Sequence, residues 1–94
     1  METSSTYKVP KGKLLKIALR YNQQEMKIDS VRITGDFFAY PEEAVEKLEH
    51  HLHKKDLDEN ALFDTISAFI DQEHVQFIGI DAKGLTTAIM RCIS

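Results

Sequence analysis

This chain has one cysteine, no tryptophan, four glycines and two prolines among its 94 residues, and no apolar run of bilayer length. The lone thiol, Cys92, excludes an internal disulfide and any cysteine-rich zinc or iron–sulfur site built from this chain alone. It follows Ala88 by four residues and Ile89 by three, so it continues an apolar helical stripe and reads as core, not as a nucleophile. Phe77-Ile78-Gly79-Ile80 is far too short to cross a membrane, and Met1-Glu2-Thr3-Ser4-Ser5-Thr6 has no signal-peptide h-region, so a cytoplasmic protein is expected. The scarcity of glycine also removes a phosphate-cradling loop. Lys11-Gly12-Lys13 has one glycine and no Ser or Thr after the lysine, which is not a P-loop but leaves a lysine pair hinged at Gly12. No Gly-x-Ser-x-Gly elbow is present for nucleophilic catalysis.

What remains is a 43% apolar composition with five Phe and three Tyr, enough for one modest core spanning residues 1–94. Residues 1–7 are expected to be flexible. A domain this small has little room for both a deep substrate cleft and a water-excluding lid, so an accessory or binding role is expected over a complete multi-substrate enzyme. The net charge of −3 is unevenly spread: residues 1–35 sum to +4, residues 36–73 to −8 and residues 74–94 to +1. The first third can face a phosphate or an acidic partner; the middle would repel one. Nucleic acid is disfavoured by the acidic balance and by the lack of an RNA-binding aromatic signature.

Leu15, Ile17, Leu19 and Tyr21 alternate with Lys16, Ala18 and Arg20, which predicts a strand with one buried face. After the polar turn Asn22-Gln23-Gln24-Glu25, a second strand runs to Thr34 with Val31 and Ile33 inward. Ile28 is out of phase with them, and a bulge near Asp29-Ser30 would repair it. Three amphipathic helices follow: one carrying Ala44, Val45, Leu48 and Leu52 after Pro41, one carrying Leu62, Ile66, Phe69 and Ile70, and one starting near Asp81 with Leu85, Ala88, Ile89 and Cys92 inward. His74 to Ile80 is either a short third strand or an extended connection. The fold class is α+β, a small antiparallel sheet of two or three strands covered by three helices on one face, with Lys16, Ala18, Arg20 and Arg32 on the other.

Val31 to Glu43 is the most informative stretch, because it joins the second strand to a helix start through a loop holding Phe37, Phe38 and Tyr40. Gly35 gives a backbone position without a Cβ, Pro41 suits a first helical turn, and Glu42 and Glu43 suit the positive end of a helix dipole. If all three aromatics fold inward the segment is a connection; if one stays out it is a docking edge. Glu46, His50 and His53 share a helix face at metal-ligand spacing, but a solvated helix end accounts for them and no metal site is expected.

Lys8-Val9-Pro10-Lys11-Gly12-Lys13-Leu14-Leu15 and the Thr34-Gly35-Asp36-Phe37-Phe38 turn with its Pro41-Glu42-Glu43 helix start resemble the accessory C-terminal domain of lipoate-protein ligases. Ile80-Asp81-Ala82-Lys83-Gly84-Leu85 is similar to that domain's last loop and helix start. The resemblance extends to the separately encoded small subunit of two-component archaeal ligases. It implies a fold akin to iron–sulfur scaffold proteins, although the missing cysteine set removes cluster assembly. It also implies a heterodimer with a catalytic subunit, and a role in ATP-dependent activation of lipoate to lipoyl-adenylate, from which an acceptor lysine is modified. ATP and lipoate, with Mg, would be used by the complex and none bound by this chain alone. Lipoyl-acceptor domains would be indirect partners, and no catalytic residue is carried over. The residues expected at the shared cleft or interface are Lys8, Lys11, Gly12, Lys13, Gly35, Asp36, Phe37 and Phe38. The alternative is a stand-alone module that binds protein or nucleic acid.

Overall fold

The computed structural model describes residues 1–9 and 13–94. In chain order these form β1 (Glu2–Lys8), β2 (Leu14–Asn22), β3 (Lys27–Gly35), β4 (Phe38–Tyr40), α1 (Ala44–His51), α2 (Glu59–Gln72), β5 (Gln76–Ile78) and α3 (Ala82–Arg91). The first three strands make an antiparallel sheet in the order β1-β2-β3, and β4 pairs antiparallel with β5 in a separate two-stranded ribbon.

The alternation in β2 buries Leu15, Ile17, Leu19 and Tyr21 and exposes Lys16, Ala18 and Arg20. Opposite it the register slips between Arg20 and Tyr21, which face Ser30 and Ile28 and leave Asp29 as the extra residue. That bulge returns Ile28 to the same buried face as Val31 and Ile33, as its phase requires. The three helices cover this one face: α3 packs on β1 and β2, α1 on β3, and α2 on α3. Leu48, Leu52, Leu62, Ile66, Leu85, Ala88 and Ile89 fill the space between the sheet and the helices. Asp58 caps α2 by accepting from Ala61 N–H at 2.9 Å, and Asp81 caps α3 by accepting from Gly84 N–H at 2.7 Å.

Three sequence expectations are corrected. Residues 1–7, expected to be flexible, pair along their length with β2 from Glu2–Arg20 to Lys8–Leu14. The inward hydroxyls explain it: Thr3 Oγ1 donates to Cys92 O and Ser5 Oγ to Ala88 O, both at 2.9 Å, and so satisfy carbonyls at the end of α3 that have no partner within the helix. The Arg91 guanidinium stacks 5.3 Å over the Tyr7 ring on the same side. The third strand of the sheet is therefore this polar leader, while the His74 to Ile80 segment contributes β5 to the ribbon. Helix α1 begins at Ala44, not Pro41; the Tyr40–Pro41 peptide is cis and a turn separates it from the helix.

No helix among the described residues is long and apolar enough to cross a membrane.

Candidate functional site

One end of the molecule gathers the turns between its elements. Val9 N–H donates to Lys13 O at 2.9 Å, closing the base of the β1–β2 connection. Beside it, Asp36 N–H donates to Leu14 O at 2.9 Å and ties the end of β3 to the start of β2. Gly35 sits in this approach with φ +156°, and a Cβ there would collide with Leu14 O and stand 3.1 Å from Leu15 Cα. Gly79, at φ +95°, lies against Asp36 and Phe37, and Gly84 at the start of α3 lies against Val9 and Ile80. These close approaches draw Val9 and the start of β2, the β3–β4 turn, the β5–α3 turn and the start of α3 into one cluster.

The ribbon sorts the aromatics by strand alternation. Phe38 faces Ile78 across the two strands and Tyr40 faces Gln76, while Ala39 faces Phe77 on the opposite side. Phe37 turns inward and meets Phe77 edge-to-face, with ring centroids 6.1 Å apart at 67°. Outward, Phe38 is 65% exposed, Tyr40 55% and Ile78 47%. A hollow of about 400 Å³ adjoins this face, with Ile33, Gly35, Phe37, Tyr40 and Val45 in its walls. Three large apolar side chains on one side of a short ribbon is a surface that water covers poorly, and patches of this kind mark contact sites.

Among the eight residues expected at an interface, Lys8, Lys13, Gly35, Asp36 and Phe38 are exposed at this end, and Phe37 is half-buried beneath it. Lys11 and Gly12 lie outside the described residues. Tyr40 and Ile78 were not on that list. The sequence marks Tyr40 only as one of the loop aromatics that make a docking edge if they stay out, Ile78 has no local signal, and the face they share depends on a pairing of β4 with β5 that lies far along the chain. Lys83, in the first turn of α3, joins Lys8 and Lys13 at this end, and no salt bridge holds any of the three among the described residues.

The described residues offer a triphosphate no helix N-terminus. Asp58 and Asp81 occupy the amides that an anion would use on α2 and α3, and Glu42 and Glu43 put negative charge ahead of α1. Two of the four histidines have structural partners: His51 packs on Phe69 at 5.3 Å between ring centroids, and His53 Nδ1 donates to Asp29 O at 2.6 Å, while His50 and His74 are exposed. No group of three His, Cys, Asp or Glu among the described residues is arranged to hold a metal ion. Burial pushes the Cys92 thiol up from its ordinary value, against a smaller lowering by its hydrogen bond to Ser5, so it stays protonated and unreactive. A shallow concavity of about 1090 Å³ beside α1 mixes Arg20 and Arg32 with Glu42, Glu46 and Glu49, and it shares Ile33, Thr34, Glu42 and Val45 with the hollow beside the ribbon.

The family described as bacterial lipoate protein ligase C-terminus matches residues 4–89. The chain belongs to this family. Its fold is similar to a solved chain from Thermoplasma acidophilum, from a structural analysis of an archaeal lipoylation system with a bi-partite lipoate protein ligase and its E2 lipoyl domain. The TM-score is 0.80 with 27% identity, over 95% of this chain and 94% of that one. A comparison with curated proteins finds no match. As a lipoate protein ligase C-terminal domain, the chain presents its apolar ribbon and its lysines at the same end, and the matched span includes both.

Proposed function

We propose that this chain is the non-catalytic accessory subunit of a lipoate-protein ligase, docking on a catalytic subunit through the Phe38, Tyr40 and Ile78 face. With that subunit it supports ATP-dependent activation of lipoate to lipoyl-adenylate, the step that precedes lipoylation of an acceptor lysine. The observation that carries this reading is the extent of the likeness. A chain of matching span, covered over 94% of its length, occurs in a structure with a bi-partite ligase, so the unit is expected to work beside a separate catalytic part.

The chemistry gives such a subunit something to do. In adenylation a lipoate carboxylate oxygen attacks the α-phosphorus of ATP, an acyl–phosphate bond forms, and pyrophosphate leaves with its electron pair. Negative charge is crowded in the ground state and accumulates on the leaving group, so fixed positive charge and exclusion of water both lower the barrier. Lys8, Lys13 and Lys83 belong to the same end of the molecule as the apolar face that would seal the joint, and there they are available to border a cleft completed by the partner. Transfer of the lipoyl group to a lysine follows the departure of pyrophosphate and has less need of them.

Co-expression with a candidate catalytic subunit tests the reading. A stable one-to-one complex that forms lipoyl-adenylate, from parts that separately do not, is the expected result. Salt-sensitive retention of the isolated chain on RNA, with no ligase complex, would favour the binding-module alternative.

A further inference from the structure

The two edges of the three-stranded sheet are treated differently. Along β3 the edge is closed: Ile33 N–H donates to Glu49 Oε2 at 2.7 Å, Asp29 O accepts from His53, and residues 54–57 bond the backbone of Met26 and Ile28. Along β1 it is open. Tyr21 N–H donates to Met1 O and Val9 N–H to Lys13 O, each at 2.9 Å, which sets the phase of the β1–β2 ladder. The odd-numbered residues of β1 bond to β2, and the backbone groups of Glu2, Ser4, Thr6 and Lys8 point away from the sheet. No backbone or side-chain bond meets those groups among the described residues. The ladder runs without a bulge over all of β1, which holds no proline and no inward-pointing charge, and its two charged residues, Glu2 and Lys8, stand at its ends. Such an edge is a template for another strand.

We propose that a second copy of this chain adds its own β1 to this edge, antiparallel about a two-fold axis at Ser5, to make a continuous six-stranded sheet. The edge is self-complementary in that register. Glu2 falls opposite Lys8 of the second copy, and Ser4 opposite its Thr6, so every outward backbone group is paired and both ends of the joint bring opposite charges together. Lys8 has no acidic partner within the chain among the described residues, and Glu2, already forked by Arg20, has room for a second cation. Slipping the joint by two residues either way leaves both Glu2 and Lys8 without an opposite charge and shortens the ladder, and a parallel joint sets like beside like. The joint draws Lys8 to Glu2 of the second copy and so takes it from the ligase cleft, while the aromatic ribbon, Lys13 and Lys83 stay free for the catalytic subunit.

Sedimentation equilibrium of the whole chain tests it. The weight-average mass should rise with concentration toward twice that of the monomer, and Thr6→Pro should hold it at the monomer value. The Thr6 N–H points outward, so proline there removes no bond to β2, and an unchanged circular dichroism spectrum verifies the fold. Under mild oxidation a mixture of Ser4→Cys and Thr6→Cys chains should form a mixed disulfide dimer, which neither variant forms alone. A monomer at all concentrations, or a dimer indifferent to Thr6→Pro, overturns the proposal. So does loss of the catalytic-subunit complex in Thr6→Pro with no change in self-association, which would assign the edge to a strand of that subunit.

Discussion

Phe38→Ala separates docking from folding, because Phe38 points outward from β4 while Phe37, just before it, turns inward against Phe77. A phenylalanine offers roughly 200 Å² for burial, and at 65% exposure about 130 Å² of that is left for a partner to cover. At ~25 cal/mol per Å² this is at most ~3 kcal/mol of binding, on the order of a hundredfold in Kd. Association costs reduce the share that appears, and a loss of roughly 1–3 kcal/mol is the working range. The free subunit should barely notice, with a change in unfolding free energy under about 0.5 kcal/mol, as for most exposed positions. Phe37→Ala should do the reverse. Its ring is half-buried against Phe77, so its removal should cost roughly 2 kcal/mol of stability and leave affinity largely intact once the subunit is folded. Urea denaturation of each free variant and calorimetric titration against the catalytic subunit give both numbers. If Phe38→Ala binds as tightly as the parent chain, or destabilises the free subunit as much as Phe37→Ala does, the ribbon is not the docking face.

Gly35→Ala should lower stability by roughly 1–3 kcal/mol, since a Cβ there meets Leu14 O at the seam of β2 and β3; an unchanged urea midpoint would mean that the seam can open at little cost. Glu49→Ala should cost about 1–2 kcal/mol, because it strips the acceptor from Ile33 N–H at the closed edge; the same denaturation assay checks it. The Cys92 thiol has a folded-state pKa raised by burial, so its contribution is fully present below the unfolded-state value and is lost as pH rises through the raised one. Stability should accordingly fall more steeply on the alkaline side in the parent chain than in Cys92→Ala, and equal slopes in the two would show that the thiol has no part in it.

The parts of the fold that were legible in the sequence are those with a long, regular apolar repeat. Leu15 to Tyr21 declared a strand, the phase slip at Ile28 declared the bulge, and the spacing of Leu62, Ile66 and Phe69 declared a helix. The first strand was missed because its inward residues are Thr3, Ser5 and Tyr7, which hold α3 through hydroxyl bonds and a ring in place of aliphatic packing, so its alternation is invisible to a hydropathy reading. A strand within His74 to Ile80 was one of two open readings, but β4 and its pairing with β5 were missed because each has three residues, too few for a period to emerge, and each is a strand only because the other lies beside it. The same long-range pairing decides that Phe37 turns in and Phe38 out, a choice that the local sequence left open. The lysines and the aromatic turn with Tyr40 were visible as motifs, whereas Ile78, and the place of Lys83 at that end, come through tertiary structure.

The central claim, that this subunit serves the first half-reaction, is tested most directly by running the two halves separately with the catalytic subunit alone and with the complex. The catalytic subunit alone should move lipoyl from supplied lipoyl-adenylate to an acceptor lysine but should not form lipoyl-adenylate from lipoate and ATP until this chain is added. In the complex, Lys13→Ala should slow adenylation by about tenfold, or ~1.4 kcal/mol of transition-state stabilisation, with transfer little changed. Adenylation by the catalytic subunit alone at the rate of the complex, or equal loss of both steps when this chain is withheld, would contradict it.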